Sequence, residues 1–258
     1  MKETRDLPGA LPAVAPGVLT GTVGLLGSKA VPSGIDKHPA PGPWQVGLIG
    51  LIGDEQADRR HHGGPEKALH HYPFDHYATW RATIGHGQIL QYPGAFGENI
   101  STTGWTEDLV HIGDVVRFGS VLLQVSQARQ PCWKLDLRFG TVGFARRMQT
   151  TGMTGWYYRI LEPGRVEPGS LLTLTHRPQP DWPLARVLRL LYRDIASFRE
   201  LREMAALPEL SDSWRSLASQ RIVSRRVEDW SDRLRDPHDE TRDMHAERNG
   251  AEESASSQ

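Results

Sequence analysis

The chain has 258 residues, 24% of them charged and 38% hydrophobic, and its 30 Lys and Arg against 31 Asp and Glu leave a formal net charge of −1. That length can bury a sizeable core, as one large domain or as a domain with an appendage. A near-neutral chain has no global field to draw in nucleic acid or an anionic membrane, no apolar run approaches a membrane span, and the one cysteine fits a reducing compartment; a cytoplasmic protein engaging neither is expected.

Residues 1–16 form a Pro-broken, Ala-rich lead-in that is expected to be flexible. From there to residue 177, short apolar runs alternate with Gly, Pro and Asp: Val18–Val23, Val46–Ile52, Asp114–Phe118, Val121–Val125 and Ser170–Leu174. With 26 Gly and 18 Pro to turn them, these runs predict a barrel or sandwich. Two helices are expected to interrupt it. One runs from Glu66 to Trp80, with Leu69, Tyr72, Tyr77 and Trp80 at helical spacing and a break at Pro73; the other runs from Val142 to Thr151 and ends at Gly152.

A Pro-rich linker over 178–182 changes the character of the chain. Pro183 then opens an amphipathic helix with the stripe Leu184, Val187, Leu188, Leu191, Ile195 and Phe198, and further helices fit Asp212–Arg221 and Arg226–Leu234. The expected organisation is therefore mainly β (α+β): a β-barrel-like domain over 17–177, a three-helix unit over 183–235, and a polar disordered tail over 236–258.

The only cysteine, Cys132, stands behind Pro131 with Arg129 and Lys134 close by. Nearby positive charge favours a thiolate, and Pro131 biases Gln130 toward an extended conformation, so the Val121–Val125 run predicts a strand that delivers Cys132 at its mouth. Taken alone, the residue reads either as a small buried hydrophobe beside Trp133 and Leu135 or as a ligand or nucleophile.

Three other segments carry candidate chemistry. Arg59–Tyr72 (RRHHGGPEKALHHY) combines a Gly-Gly turn with a proline-led helix start. Exposed amides there favour an anion, and Arg59, Arg60 and Lys67 could complete a phosphate site; an ordinary loop with solvated charges is the alternative. Its four histidines lack zinc-site spacing. Gly94–Ser101 (GAFGENIS) offers an acid and an amide among glycines, suited to a heterocycle edge or to a turn, and Pro32–Lys37 is a turn ending in a cation.

In their order, SGIDK, HHGGPEKALHHY, GAFGENIS and SQARQPCWKL resemble the MOSC domain family, the molybdenum-cofactor sulfurase C-terminal fold, and the added helical segment resembles its YiiM-type branch. The resemblance extends from about Gly17 to Arg235. It implies a β-barrel-like domain holding a molybdenum cofactor (molybdopterin), with Cys132 as the catalytic residue and the protein's ligand to molybdenum, the chemistry a soft thiolate suits. It further implies Lys37, Arg59, His62, Gly63, Gly64, Lys67, Asn99 and Arg129 as cofactor contacts, with Lys37 and Arg129 as charge donors and Asn99 toward a pterin amide or a substrate base. His70 and His71 read as mostly structural.

The activity implied is reduction of small N-hydroxylated compounds, hydroxylamino-purine base analogues such as 6-hydroxylaminopurine. The chain shows no convincing dinucleotide fingerprint and no iron–sulfur cysteine set, so a separate reductase is expected to supply the electrons. The alternative is a carrier of the cofactor, or of sulfur on Cys132, without turnover. Pyridoxal phosphate enters only as a family-level association, and the absence of an attached pyridoxal-phosphate domain weighs against sulfurase activity. Eleven arginines against eight acids over 183–235 read as solvated helix faces rather than a nucleic-acid surface, and nothing in the residues selects an oligomeric state.

Overall fold

The computed structural model describes residues 11–12, 17–58, 62–85 and 87–237. The lead-in and tail expected to be flexible lie mostly outside these residues; Leu11–Pro12 pairs antiparallel with Leu171–Leu172.

A mixed seven-stranded sheet organises the fold. Its order is Leu11–Pro12, Leu171–His176, Val115–Phe118, Val121–Ala128, Trp156–Glu162, Leu69–Pro73 and Ile100–Thr102, antiparallel throughout except for the last pair. A three-stranded sheet of Gly164–Val166, Trp44–Gly47 and Gly50–Leu51 accompanies it, giving a half-barrel. The Val121–Ala128 strand shows why the sequence folds this way. Val121, Leu123 and Val125 are buried while Leu122 and Gln124 are half-exposed, the period-two pattern of a strand with one face on a core. Its register against Trp156–Glu162 slips between Val125 and Gln127. At this bulge Ser126 Oγ donates to the Tyr157 carbonyl (3.1 Å) and the Glu66 carbonyl (2.5 Å), and Gln127 and Ala128 become buried.

The helix expected over Glu66–Trp80 is instead three elements. Pro65–Lys67 is a 3-10 turn, Leu69–Pro73 is a strand, and the α-helix runs over Asp75–Ile84 with Gly85 as its left-handed C-cap. All five residues of Leu69–Pro73 are buried, because the strand lies between two neighbours with both faces covered; without alternation, its aromatic spacing mimics a helix. The second expected helix is found at Phe144–Thr151, capped by Gly152.

The C-terminal helical unit is divided differently from the sequence expectation. Leu184–Tyr192 carries the apolar stripe, but the helix stops there. The amides of Arg193 and Asp194 both donate to the Arg189 carbonyl, and a new helix runs over Phe198–Ala205 behind Ser197. Ile195, read as part of the stripe, is 40% exposed in the connecting loop. The third helix is Asp212–Ser224, ended by left-handed Arg225, and the helix expected over Arg226–Leu234 is the single turn Ser231–Leu234.

Two cores result. Leu184, Val187, Leu191, Leu201, Met204 and Trp214 join Val116, Leu123 and Val125 in one continuous cluster, so the helical unit completes the barrel's own core. A second cluster of Tyr72, Tyr77, Trp80, Phe96, Phe139, Phe144 and Met148 contains Leu135, three residues after Cys132, and also takes in Leu234 from the final turn.

Candidate functional site

Cys132 occupies a strand-to-helix junction. The Arg129 amide still donates to Gly155 O (2.9 Å), Pro131 then ends the ladder, and the Leu135 amide returns to Cys132 O (3.0 Å) at the start of the Lys134–Phe139 helix. The thiol is 7% exposed. Burial alone would push its pKa up, but the hydrogen bond with His62, the charges of His62 and Arg129, and the Lys134 amide outweigh it and bring the thiol down to about 7.

The thiol opens on a cleft whose wall also carries Lys37, His62, Lys67, Asn99 and Arg129. One part of its wall is Lys37 and Asn99, both of which donate to Asp54. Lys37 is buried and its Nζ donates to Asp54 Oδ2 at 2.5 Å. Asp54 also accepts from the Gly21 amide (3.0 Å), Gln56 Nε2 (3.1 Å) and Asn99 Nδ2 (2.9 Å). Asn99 Nδ2 donates as well to Leu19 O (3.1 Å), while its Oδ1 accepts the His70 amide (3.0 Å). Both amide hydrogens of Asn99 are therefore committed within the fold. Burial pulls the Lys37 ammonium below its ordinary pKa against the attraction of Asp54.

Arg129 lies under different conditions. It is 5% exposed, its Nη1 donates to Met148 Sδ (3.6 Å), and its side chain also bonds Tyr157. Among the described residues no carboxylate forms an ion pair with it. Beside it, His70 Nε2 is buried and has no hydrogen-bond partner among the described residues, and burial and the Arg129 charge hold the His70 pKa well below its usual value. Burial, and behind it the charge of Arg233, lower the Lys67 pKa against the pull of Asp58.

Of the residues implied by the sequence, Lys37, His62, Lys67, Asn99, Arg129 and Cys132 line this one cleft. Gly63 and Gly64 are not among the lining residues. Gly64, at φ 94°, instead shapes the turn in which the Lys67 amide donates to Gly64 O (3.0 Å). That turn is three residues of 3-10 helix, so the anion site expected at a proline-led helix start is not formed by an α-helix N-terminus. Arg59 and Arg60 lie outside the described residues.

The GAFGEN segment is a brace. The buried Glu98 carboxylate accepts the Gly94 (2.7 Å) and Phe96 (3.0 Å) amides and the Tyr77 hydroxyl. A Cβ on Gly94 would sit 2.0 Å from Lys37 O, so the loop supports the backbone that presents Lys37. Asp54, Tyr157 and Lys134 also belong to the site or its support, and sequence reasoning left them out of the contact set; only Lys134 carried a signal, as a cation near the thiol.

The donor set fits a molybdenum cofactor. Cys132 offers one soft sulfur donor at the cleft, the ligand type that suits a metal carrying further ligands of its own. A buried guanidinium without a carboxylate suits a bound phosphate. Gln127 Oε1, which lines the outer part of the cleft with Cys132, is a further buried atom without a partner among the described residues.

Comparison with known proteins gives two domain matches: the MOSC domain over residues 58–173 and the YiiM-like, 3-alpha helix domain over 182–225. Protein YiiM of Escherichia coli is 38% identical over 203 residues, covering 79% of this chain and 90% of that one. The crystal structure of that protein superposes with a TM-score of 0.69 at 31% identity, over 85% of this chain and 99% of the other. YiiM from Geobacillus stearothermophilus gives a TM-score of 0.68 at 32% identity, over 82% and 100% of the two chains. A Gibberella moniliformis protein named "Reductase" is 37% identical over 230 residues, 86% of this chain but 40% of its own length. Among the described residues no helix is long and apolar enough to cross a membrane.

Proposed function

Because the chain belongs to the MOSC-domain family and carries the YiiM-like helical unit behind that domain, we propose that it is a cytoplasmic molybdenum-cofactor-dependent oxidoreductase. Its substrates are N-hydroxylated compounds of the hydroxylamino-purine type, and a separate reductase supplies its electrons. The observation that carries this reading is the buried Cys132 thiol, which shares one cleft with Lys37, His62, Lys67, Asn99 and Arg129 and whose pKa His62 and Arg129 help to lower to about 7. The fungal relative named a reductase supports the redox class.

When bound, the cofactor supplies the oxygen-removing chemistry by which R–NHOH, two electrons and two protons become R–NH2 and water. The chain supplies the surroundings. Cys132 would offer its sulfur as the protein's donor to the metal, and the His62 hydrogen bond favours the thiolate form. Arg129, with Lys67 lining the same cleft, would balance the charge of the cofactor's phosphate. Lys37 is locked to Asp54, so it adds a cation at the wall without adding net charge.

The test is molybdenum and pterin content, together with reduction of 6-hydroxylaminopurine by an artificial electron donor, in wild-type and Cys132→Ser protein from a cofactor-making host. Near-stoichiometric molybdenum is expected in the wild type, with turnover falling more than about 100-fold in the variant. Molybdenum without turnover of any N-hydroxylated base would move the assignment to a cofactor carrier. Absence of molybdenum from the wild type would withdraw the reductase.

A further inference from the structure

We infer that Arg233 is a positioning residue for Cys132, holding the chain on both sides of it. Its guanidinium Nη1 donates to the Pro131 carbonyl, and its own carbonyl accepts the Trp133 amide at 2.9 Å. The residues immediately before and after the cysteine are thus tied to one residue in the turn Ser231–Leu234, beyond both of the domain matches.

Arginine suits this position and lysine does not. While Nη1 holds Pro131, Nη2 donates to Gln149 Oε1 at 2.6 Å, and the guanidinium plane lies 4.7 Å from the Trp230 ring centroid. One planar fork therefore joins the cysteine loop, the Phe144–Thr151 helix and the final turn, and an ammonium offers no such geometry. Leu234 anchors the turn from below, 6% exposed in the same cluster as Leu135.

The choice of a charged clamp is informative. Arg233 donates to a carbonyl and an amide and stacks on an indole, all neutral, and its buried Nε has no partner among the described residues. Tethering two loops by neutral groups would avoid the desolvation of a cation. A cation at the outer wall of the cleft beside Cys132 gives both the tether and a charge of the sign an anionic sulfur needs.

This inference rests on Cys132 being the functional sulfur of the site, but its test does not involve molybdenum or substrate, so either idea can fail alone. In full-length Arg233→Met, Arg233→Lys and Gln149→Leu proteins, two local readouts are taken beside the heat-unfolding curve. One is hydrogen exchange at the Trp133 amide. The other is the iodoacetamide rate of Cys132, the chain's one cysteine, about two pH units above its pKa, where ionisation is complete and the rate reads access alone.

Arg233→Met is expected to speed exchange at Trp133 by about tenfold and to raise the limiting alkylation rate several-fold, with Val121–Ala128 amides unchanged. Arg233→Lys should lie between this variant and wild type. Gln149→Leu, which removes one anchor and leaves Arg233 in place, should give about a threefold change. Wild-type exchange and alkylation in Arg233→Met, or acceleration shared equally by the strand and the loop, would overturn the assignment. Should Arg233→Met not fold, an unchanged Gln149→Leu protein would overturn it as well.

Discussion

Two buried cations line the same cleft under opposite conditions. Lys37 is held by Asp54 at 2.5 Å, and Asp54 is itself held by three further donors, so that corner is neutral and satisfied within the fold. Arg129 is as deeply buried, yet no carboxylate among the described residues pairs with it, and the atoms near it include an unpartnered His70 Nε2. Burying a charge is costly unless it is compensated. The first cation is compensated by structure; the second leaves its compensation to the Cys132 thiolate and to whatever anion enters the cleft. Stability and binding are thus placed on different walls.

The largest change should come from breaking the satisfied wall. Asp54→Asn leaves the Lys37 charge buried without its counter-ion, and urea unfolding should show a loss of about 3–5 kcal/mol. Arg129→Met acts on the other wall. The ligand-free chain should change by less than about 1 kcal/mol, or gain stability, while retention of pterin on purification falls about 10- to 100-fold. Equal stability losses at positions 54 and 129 would erase the contrast.

A change at one hydrogen bond to the thiol sharpens it. His62→Gln should move the Cys132 thiol from about 7 toward the ordinary value near 8.5, read from the pH dependence of alkylation. The sign carries to stability. Between about pH 7 and 8.5 the unfolded chain keeps a proton that the native thiol has released, so this contribution is present above that window and lost as pH falls through about 7. At roughly 1.36 kcal/mol per pH unit, the span is about 2 kcal/mol, and His62→Gln should flatten it.

Local signals in the sequence reached Cys132 and most of its neighbours. A proline after a β-run, flanked by cations, marks a strand end delivering a thiol, and Val121–Ala128 does this. The motifs that carry Lys37, His62, Lys67, Asn99 and Arg129 do meet at one cleft. What local pattern could not supply was the partner each residue takes. Asn99 looks available in a Gly-rich segment, but its amide is committed to Leu19 and Asp54. Asp54 sits in GLIGDEQ with no local signature, and its role depends on residues brought together by the sheet. Leu69–Pro73 reads as helical because both its faces are covered, a property of its neighbours in the sheet. Arg233 is one arginine in a stretch where arginines and acids alternate, and its significance lies wholly in long-range contacts.

The clamp on the cysteine loop also has a place in time. Pro131 and Arg233 are 102 residues apart, so a ribosome delivers the sulfur well before the residue that grips its loop. At about 5–20 residues per second, the interval is roughly 5–20 s. Throughout that interval a nascent chain presents Cys132 on a loop still lacking its last tether. Synthesis order therefore makes the closing of this site a late event, one that follows translation of the helical unit rather than of the barrel that carries the thiol.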